Sequence, residues 1–129
     1  MLNITRVHHI AVICSDYTVS KEFYTQTLGL KVIREVYRAE RQSYKLDLAL
    51  GGTYVLELFS FPNPPARASF PEAAGLRHLA FETDHVEAAK AALNQKNVAT
   101  QEIRVDATTG KRFFFFSDPD GLPLEIYEQ

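Results

Sequence analysis

The chain has 129 residues, 46% of which are hydrophobic, and a formal net charge of −2. This length and composition are typical of one compact unit with a substantial core, and they exclude a disordered chain. The charge excludes the basic surface that binds nucleic acid or an anionic membrane, so we expect neither partner. The N-terminus lacks the charged and then apolar order of a signal peptide, and no apolar run approaches the roughly 20 residues of a membrane span. We therefore expect a cytoplasmic protein.

The number of cysteines excludes two further kinds of structure. Cys14 is the only cysteine, which excludes an intramolecular disulfide and a zinc cage built of thiolates. We expect the Cys14 thiol to fill space in the core.

The first half of the chain predicts the element order β-α-β-β-β. The predicted strands cover residues 6–14, 30–37, 44–50 and 54–59. Asp16 and Thr18 are candidates for the N-cap of a helix that ends before Gly29. The buried stripe predicted for this helix consists of Val19, Phe23, Tyr24, Thr27 and Leu28. A Gly51-Gly52 hairpin is predicted between the last two strands.

A linker separates this half from the next. Residues 61–74 contain four prolines and no hydrophobic periodicity, which predicts a linker or a lid. The same element order then begins again, with predicted strands over residues 75–81, 100–105, 111–116 and 122–127. Asp84 is the predicted N-cap of the second helix, and Glu87 is placed to complete a capping box. The buried stripe predicted for this helix, which ends near Asn97, consists of Val86, Ala89 and Leu93.

The two halves match residue by residue. V-H-H-I-A-V at 7–12 corresponds to L-R-H-L-A-F at 76–81, and L-E-L-F at 56–59 corresponds to L-E-I-Y at 124–127. The predicted cap and the glutamate are 41 residues apart in both halves. Internal duplication indicates two copies of one supersecondary unit, each too small to bury its sheet face alone. We predict a single α+β domain over residues 1–129, in which βαβββ modules at 4–60 and 75–128, joined by the linker 61–74, form cupped mixed sheets.

The duplication places His9, Glu57, His78 and Glu125 at equivalent positions. By strand alternation each of the four points away from its apolar neighbours, so all share the face that two curved sheets would enclose. A lone histidine or glutamate on such a strand is more often a hydrogen-bonded or solvated residue. Two matched pairs instead indicate a divalent metal site, because a cation relieves the cost of burying these groups. Nitrogen and oxygen ligands without sulfur suit Zn²⁺, Ni²⁺, Co²⁺, Mn²⁺ or Fe²⁺.

Two further histidines receive other roles. His8 has the wrong parity to face the site, so we expect it to be structural or to support a ligand. His85 falls in the first turn of the second helix, where we expect it to be exposed and without a chemical role.

The motifs around these four residues resemble a known family. They are V-H-H-I-A-V before Asp16, V-L-E-L around Glu57, L-R-H-L-A-F around His78 and D-P-D-G-L-P-L-E-I-Y-E around Glu125. Over its whole length the chain resembles the vicinal oxygen chelate superfamily, which is also known as the glyoxalase/bleomycin resistance protein/dioxygenase superfamily. Within it the chain looks most like small bacterial glyoxalase I-type proteins. The resemblance implies that His9, Glu57, His78 and Glu125 are the metal ligands, with one divalent ion per site, Zn²⁺ or Ni²⁺ ahead of the others.

The resemblance also implies an activity. Two histidines with two glutamates resemble glyoxalase I, a lactoylglutathione lyase, in which the metal holds two oxygens of a hemithioacetal and a glutamate moves a proton between adjacent carbons through an enediolate. On this basis Glu125 is the expected base and Glu57 its symmetric counterpart. We expect a metal-dependent lyase or isomerase that acts on a small vicinal-oxygen substrate, such as an adduct of a 2-oxoaldehyde with a thiol.

Other reactions stay open at the level of the sequence. They include a dioxygenase, an epimerase or a thiol transferase on the same metal, and a binding protein of the bleomycin-resistance type without catalysis. The second ligand position separates some of them, because methylmalonyl-CoA epimerases usually have glutamine where Glu57 stands. A non-catalytic binding protein of this type lacks the ligands altogether.

The sequence also contains cations that could contact a substrate. Four cations are candidates for contact with an anionic substrate, although a residue of this kind is more often a solvated or paired charge: Lys45, Arg77, Arg104 and Arg112.

The small glyoxalase I-type proteins assemble across chains, so we expect a homodimer in which His9 and Glu57 of one chain meet His78 and Glu125 of the other. A site completed within one chain is the alternative.

Overall fold

Two four-stranded mixed sheets, one in each half of the chain, organise the computed structural model, which describes residues 1–129. The chain forms two units, Met1–Pro65 and Ala66–Gln129. Each unit has the order strand, helix, strand, strand, strand. This confirms the α+β class and the two βαβββ modules.

The first sheet has the strand order β1-β4-β3-β2. Its strands are β1 (Ile10–Cys14), β2 (Lys31–Arg38), β3 (Ser43–Leu50) and β4 (Thr53–Ser60). β1 runs parallel to β4, and the other pairs are antiparallel. The predicted Gly51-Gly52 hairpin is present, with φ of 56° and 80° at the two glycines, because a two-residue turn of this kind needs positive φ. One face of the sheet is fully buried at Leu46, Leu48, Leu56 and Leu58.

The first helix confirms one cap and corrects the predicted stripe. α1 (Tyr17–Glu22) begins after Asp16, whose carboxylate accepts a hydrogen bond from the Val19 amide. A π-helical turn (Phe23–Thr27) continues it. Phe23 and Tyr24 are buried as predicted, but Val19 is 48% exposed. The stripe instead begins at the buried Ser20, one residue further around the helix, which turns Val19 toward solvent.

The second sheet repeats the first, with the order β5-β8-β7-β6. Its strands are β5 (Leu79–Thr83), β6 (Arg104–Val105), β7 (Arg112–Ser117) and β8 (Pro123–Glu128). β5 runs parallel to β8, and the other pairs are antiparallel. Its apolar core is formed by Phe114, Phe116 and Leu124 of the sheet with Val86 and Leu93 of α2 (Val86–Gln95).

The predicted capping box of α2 is wrong. The N-cap is His85 rather than Asp84, and its amide donates to the Thr83 hydroxyl. Glu87 therefore lies one position too early for a capping box, and its carboxylate pairs with Arg112 of β7 instead. The Glu87 side chain therefore forms an ion pair with a residue distant in sequence instead of a capping box with its neighbours.

Three predicted strands are longer than the observed ones. β1 begins at Ile10 and β5 at Leu79, so His9 and His78 each lie immediately before a strand rather than within it. β5 begins at Leu79 because its first parallel partner in β8 is Leu124. The preceding residue of β8 is Pro123, which has no amide hydrogen to donate to the ladder. Of the predicted strand at 100–105, only Arg104–Val105 forms β6, and Thr100 makes a single bridge to Phe116.

Residues 61–74 contain no helix or strand, and the boundary between the two units falls among them, after Pro65. Within the second unit, Arg67 donates hydrogen bonds to the carbonyl oxygens of Leu76 and Arg77, just before His78. None of the helices combines the length and the apolar character that crossing a bilayer requires.

Candidate metal centre

In the first sheet, strand register brings His9 and Glu57 to the same face. Ala11 of β1 lies beside Glu57 of β4, which in turn lies beside Asp47 of β3. His9 is two residues before Ala11 and therefore keeps its parity. The His9 Nε2 atom is 3.8 Å from Glu57 Oε2, and the Glu57 side chain is only 13% exposed.

The second sheet has the same arrangement. Ala80 of β5 lies beside Glu125 of β8, which lies beside Phe115 of β7. The His78 Nε2 atom is 2.9 Å from Glu125 Oε2, within hydrogen-bond distance, and the Glu125 side chain is 10% exposed. In each unit, one imidazole nitrogen thus faces one carboxylate oxygen, on the side of the sheet opposite the apolar core.

Charged and polar groups surround Glu57. Lys45 Nζ is 3.3 Å from Glu57 Oε2 and 2.7 Å from Asp47 Oδ1. The Tyr54 hydroxyl is 2.9 Å from Glu57 Oε2 and 2.8 Å from Asp47 Oδ1. Arg34 adds two hydrogen bonds to Asp47 Oδ2, at 3.0 and 3.2 Å. The result is a connected network in which Glu57 is fixed from two directions.

The pKa shifts in this network follow from its contacts. Burial by itself would raise the pKa of Asp47, but hydrogen bonds from Lys45, Tyr54 and Arg34 outweigh it and hold that pKa below its usual range. The hydrogen bond to Asp47 raises the pKa of Lys45, against the opposing effect of burial. Burial and the neighbouring carboxylates raise the pKa of the Tyr54 hydroxyl. At neutral pH Lys45 is therefore charged and Tyr54 is a hydrogen-bond donor.

Tyr54 is the member of this network that sequence alternation assigns to the wrong face. Its parity is that of the buried Leu56 and Leu58, so the pattern predicts that it points into the core. The register between β3 and β4 shifts, however, between Leu48 and Ala49: Leu48 pairs with Leu56, whereas Ala49 pairs with Tyr54. This β-bulge turns the Tyr54 side chain toward Glu57. The nearby Gly51-Gly52 turn is the one signal in the sequence, since hairpin ends are common places for bulges.

Aromatic groups surround Glu125. Phe115, directly beside it in the sheet, lies edge-on to the His78 ring at a centroid distance of 5.1 Å. Phe113 follows on the same face, 6.0 Å from Phe115 and stacked on Tyr127 at 6.3 Å. Phe115 therefore occupies the position that Asp47 has beside Glu57, and Phe113 the position of Lys45.

The remaining histidines differ in their relation to these pairs. His8 Nδ1 is 2.8 Å from His9 Nδ1, a contact that leaves the Nε2 atom of His9 directed at Glu57. The His85 side chain is 76% exposed, as predicted.

The donor set fits a divalent metal of the first transition series. Imidazole nitrogen and carboxylate oxygen atoms are ligands that Zn²⁺ and its neighbours accept, and in each unit they converge on one face. No group of three or more histidine, cysteine, aspartate and glutamate side chains in the chain is arranged so that it could hold a metal ion. Each unit presents half of the four predicted ligands.

Two mixed sheets of the βαβββ type, each carrying a histidine before its first strand and a glutamate in its last, define a class of paired-module proteins. The chain belongs to the Glyoxalase/Bleomycin resistance protein/Dioxygenase superfamily, whose family model matches residues 6–126. This confirms the family that the motifs indicated.

Similar proteins cover 95% or more of the chain. The uncharacterized protein YaeR of Escherichia coli is 61% identical over 100% of both chains. The uncharacterized protein YwkD of Bacillus subtilis is 62% identical over 95% of this chain and 96% of its own. The solved structure of a glyoxalase family protein from Enterococcus faecalis has 50% sequence identity, covers 95% of this chain and 97% of its own, and superposes with a TM-score of 0.89.

At lower identity the chain is similar to proteins named for two different reactions. The mitochondrial methylmalonyl-CoA epimerase of Homo sapiens is 27% identical over 96% of this chain and 74% of its own. The metallothiol transferase FosB of Staphylococcus saprophyticus is 28% identical over 96% and 77%. Membership of the superfamily therefore establishes the fold and leaves the reaction to be argued from the site.

Proposed function

We propose that the protein is a divalent-metal-dependent lyase or isomerase of the glyoxalase I type, with His9, Glu57, His78 and Glu125 as metal ligands. The observation that carries the proposal is the repeated pair, one imidazole nitrogen facing one carboxylate oxygen at the same place in each sheet. The retention of a carboxylate at both glutamate positions supports this reaction type over the epimerase type. A bound metal would act as a Lewis acid that polarises a substrate carbonyl and stabilises the negative charge that develops on its oxygen.

The surroundings of the two glutamates support different tasks for them. Glu57 Oε2 pairs with Lys45 and shares the Tyr54 hydroxyl proton with Asp47, so its position is fixed. Glu125 has His78 as its polar partner and lies beside the aromatic side chain of Phe115. Glu125 is therefore the carboxylate that takes a proton from one substrate carbon and returns it to the adjacent carbon. Glu57 acts as the ligand held in place.

We further propose that the complete site forms across a homodimer. Each unit presents two donors, so the four ligands require two units, taken from one chain or from two. The resemblance to small glyoxalase I-type proteins, which assemble across chains, supports two chains. The glutamate-bearing face of the first sheet also leaves Ile13 54% exposed, an apolar side chain that a partner would cover. In sedimentation experiments we expect a dimer that loses metal when it dissociates. A monomer that retains stoichiometric metal would rule out the cross-chain arrangement.

The experiment that tests the activity begins with elemental analysis of protein purified without chelators. The metal-free protein is then reconstituted with Zn²⁺, Ni²⁺, Co²⁺, Mn²⁺ or Fe²⁺ and assayed with methylglyoxal and a thiol. We expect turnover that depends on the metal and is lost with chelator. If no metal supports turnover of any adduct of a 2-oxoaldehyde with a thiol, the glyoxalase I assignment fails and only the metal site and the family remain.

A further inference from the structure

The structure separates the four candidate cations for substrate contact by their partners. Lys45 pairs with Asp47 and Glu57, and Arg77 Nη2 is 3.7 Å from Glu72 Oε1. Arg112 Nη2 is 2.7 Å from Glu128 Oε1. Arg104 makes no ion pair, and its hydrogen bond is a long one, 3.4 Å from Nη2 to Gln101 Oε1. Of the four, Arg104 alone carries a charge that no acidic side chain of the chain neutralises.

Arg104 lies on the same face of the second sheet as Glu125. It is paired with Phe113 across β6 and β7, and its Cζ atom is 5.0 Å from the Phe113 ring centroid and 5.8 Å from that of Phe115. Phe115 in turn contacts His78 at 5.1 Å and lies beside Glu125. One aromatic ring therefore separates the guanidinium of Arg104 from the His78 and Glu125 pair.

This placement suits recognition of an anion. A guanidinium that stacks on aromatic rings keeps its N–H groups at its edges, where they form a planar fork that matches a carboxylate. Stacking also restricts the side chain before any ligand binds, which lowers the entropy cost of binding. The residue is exposed to solvent, so a ligand can reach it.

We propose that Arg104 binds a carboxylate of the substrate, so that the substrate is an acidic compound whose vicinal oxygens lie at His78 and Glu125 and whose carboxylate lies beyond Phe115. This inference rests on the proposed metal-dependent function and specifies the substrate class of that same site. Arg104 is then a specificity-determining residue that holds the end of the substrate remote from the reacting carbons.

A pair of probes tests this directly. Succinic monohydroxamic acid carries two vicinal oxygens at one end and a carboxylate at the other, and its carboxamide counterpart has the same shape without the charge. Their affinities for the metal-reconstituted protein are measured by isothermal titration calorimetry, with no turnover involved. We expect the acid to bind about tenfold more tightly than the amide, as a charge-assisted hydrogen bond would produce.

Variants locate the effect. In Arg104→Gln we expect the acid and the amide to bind equally, and in Arg104→Lys, which keeps the charge but lacks the fork, an intermediate preference. Arg112→Gln is the matched control, because it removes the same charge from the neighbouring strand on the opposite face, and it should keep the wild-type preference. Circular dichroism of each variant verifies the fold, and Arg104→Lys provides the test if Arg104→Gln does not fold.

The possible failures are distinguishable. If both probes bind the wild type in a metal-dependent way but equally well, the role of Arg104 is wrong and the metal site stands. An equal loss of preference in Arg104→Gln and Arg112→Gln would also contradict it, because the effect would then be one of net charge. If neither probe binds the metal-loaded wild type, the proposed function fails and the inference fails with it.

Discussion

The two sheets of this protein carry the same histidine and glutamate pair but give it opposite surroundings. In the first sheet, Glu57 belongs to a network of Lys45, Tyr54 and Asp47. In the second sheet, Glu125 lies beside Phe115, on a face that continues with Phe113 and Tyr127. The duplicated positions have kept histidine and glutamate, whereas the neighbouring positions have diverged in charge.

Under the proposed function, this difference would let one duplicated unit serve two roles. A carboxylate fixed by a lysine and a tyrosine is a well-oriented ligand, because outer partners of this kind set the geometry of a metal-binding side chain. A carboxylate against aromatic rings has few competing donors and can exchange a proton with a substrate. The stacked Arg104 belongs to the second environment and places substrate recognition on the same sheet as the proposed base.

Exchanging the two carboxylates for amides gives the largest expected effect. Glu125→Gln keeps an oxygen that can coordinate but removes the base, so we expect turnover to fall by about 10²- to 10⁴-fold while metal content falls only in part. Glu57→Gln should reduce metal affinity more than turnover per bound metal. Steady-state kinetics with parallel metal analysis distinguishes the two. If Glu125→Gln stays active and Glu57→Gln is inactive, the roles of the halves are reversed.

Asp47→Asn breaks the network of the first sheet. The Asp47 side chain is 1% exposed and accepts three side-chain donors, so we expect the free energy of unfolding at pH 7 to fall by about 2 to 3 kcal/mol. Because folding lowers the pKa of Asp47, its contribution is complete above the ordinary value of about 3.9 and is lost as the pH falls through the folded-state pKa.

Urea unfolding at several pH values measures this contribution. The difference between wild type and Asp47→Asn should be full at pH 7 and shrink below about pH 4. Asp106→Asn is the control in the second unit, because that carboxylate also has a lowered pKa but is only half-buried and has no cationic partner, and its effect should be much smaller. A difference for Asp47→Asn that does not change with pH would show that the network does not depend on the carboxylate charge.

Metal binding should stabilise the protein through both halves. A site that exists only in the folded state adds about 2.7 kcal/mol when free metal is 100-fold above its Kd, so chelator should lower the Tm. His78→Ala should abolish this metal-dependent increase, and His85→Ala, which changes an exposed histidine, should keep it. Equal metal binding by His78→Ala and wild type, with equal Tm values in chelator, would contradict the proposed ligand set.

Tyr54→Phe gives the smallest expected effect and tests the outer support of Glu57. The change removes the hydroxyl but keeps the ring that packs 5.1 Å from His9, so metal affinity should fall by about tenfold without loss of the fold. Competition with a chromophoric chelator measures it. Tyr127→Phe is the matched control, since the Tyr127 hydroxyl bonds to Asp106 rather than to Glu125. An unchanged affinity in Tyr54→Phe would mean that Lys45 alone fixes Glu57.

Much of the fold could be read from the sequence because it depends on local patterns. The alternation of residues in β3 and β4 puts the leucines on one face and Lys45 and Asp47 on the other, as the structure has them. Asp16 was found by its position before the first helix, and Gly51-Gly52 by its place between two strands. The repeat of these patterns predicted two βαβββ modules and the four candidate ligands, whose role as ligands stays a prediction.

Tertiary structure decided what depends on partners distant in sequence. The bulge in β4 turns Tyr54 toward Glu57, a change of face that strict alternation cannot predict because it arises from the register between two strands. Glu87 forms an ion pair with Arg112 instead of the capping box that its position in the sequence suggests. The sequence offers Arg77, Arg104 and Arg112 as equivalent cations, and only the folded chain shows which one lacks an acidic partner. Ion pairs are chosen by proximity in space, whereas alternation and capping are fixed by neighbours along the chain.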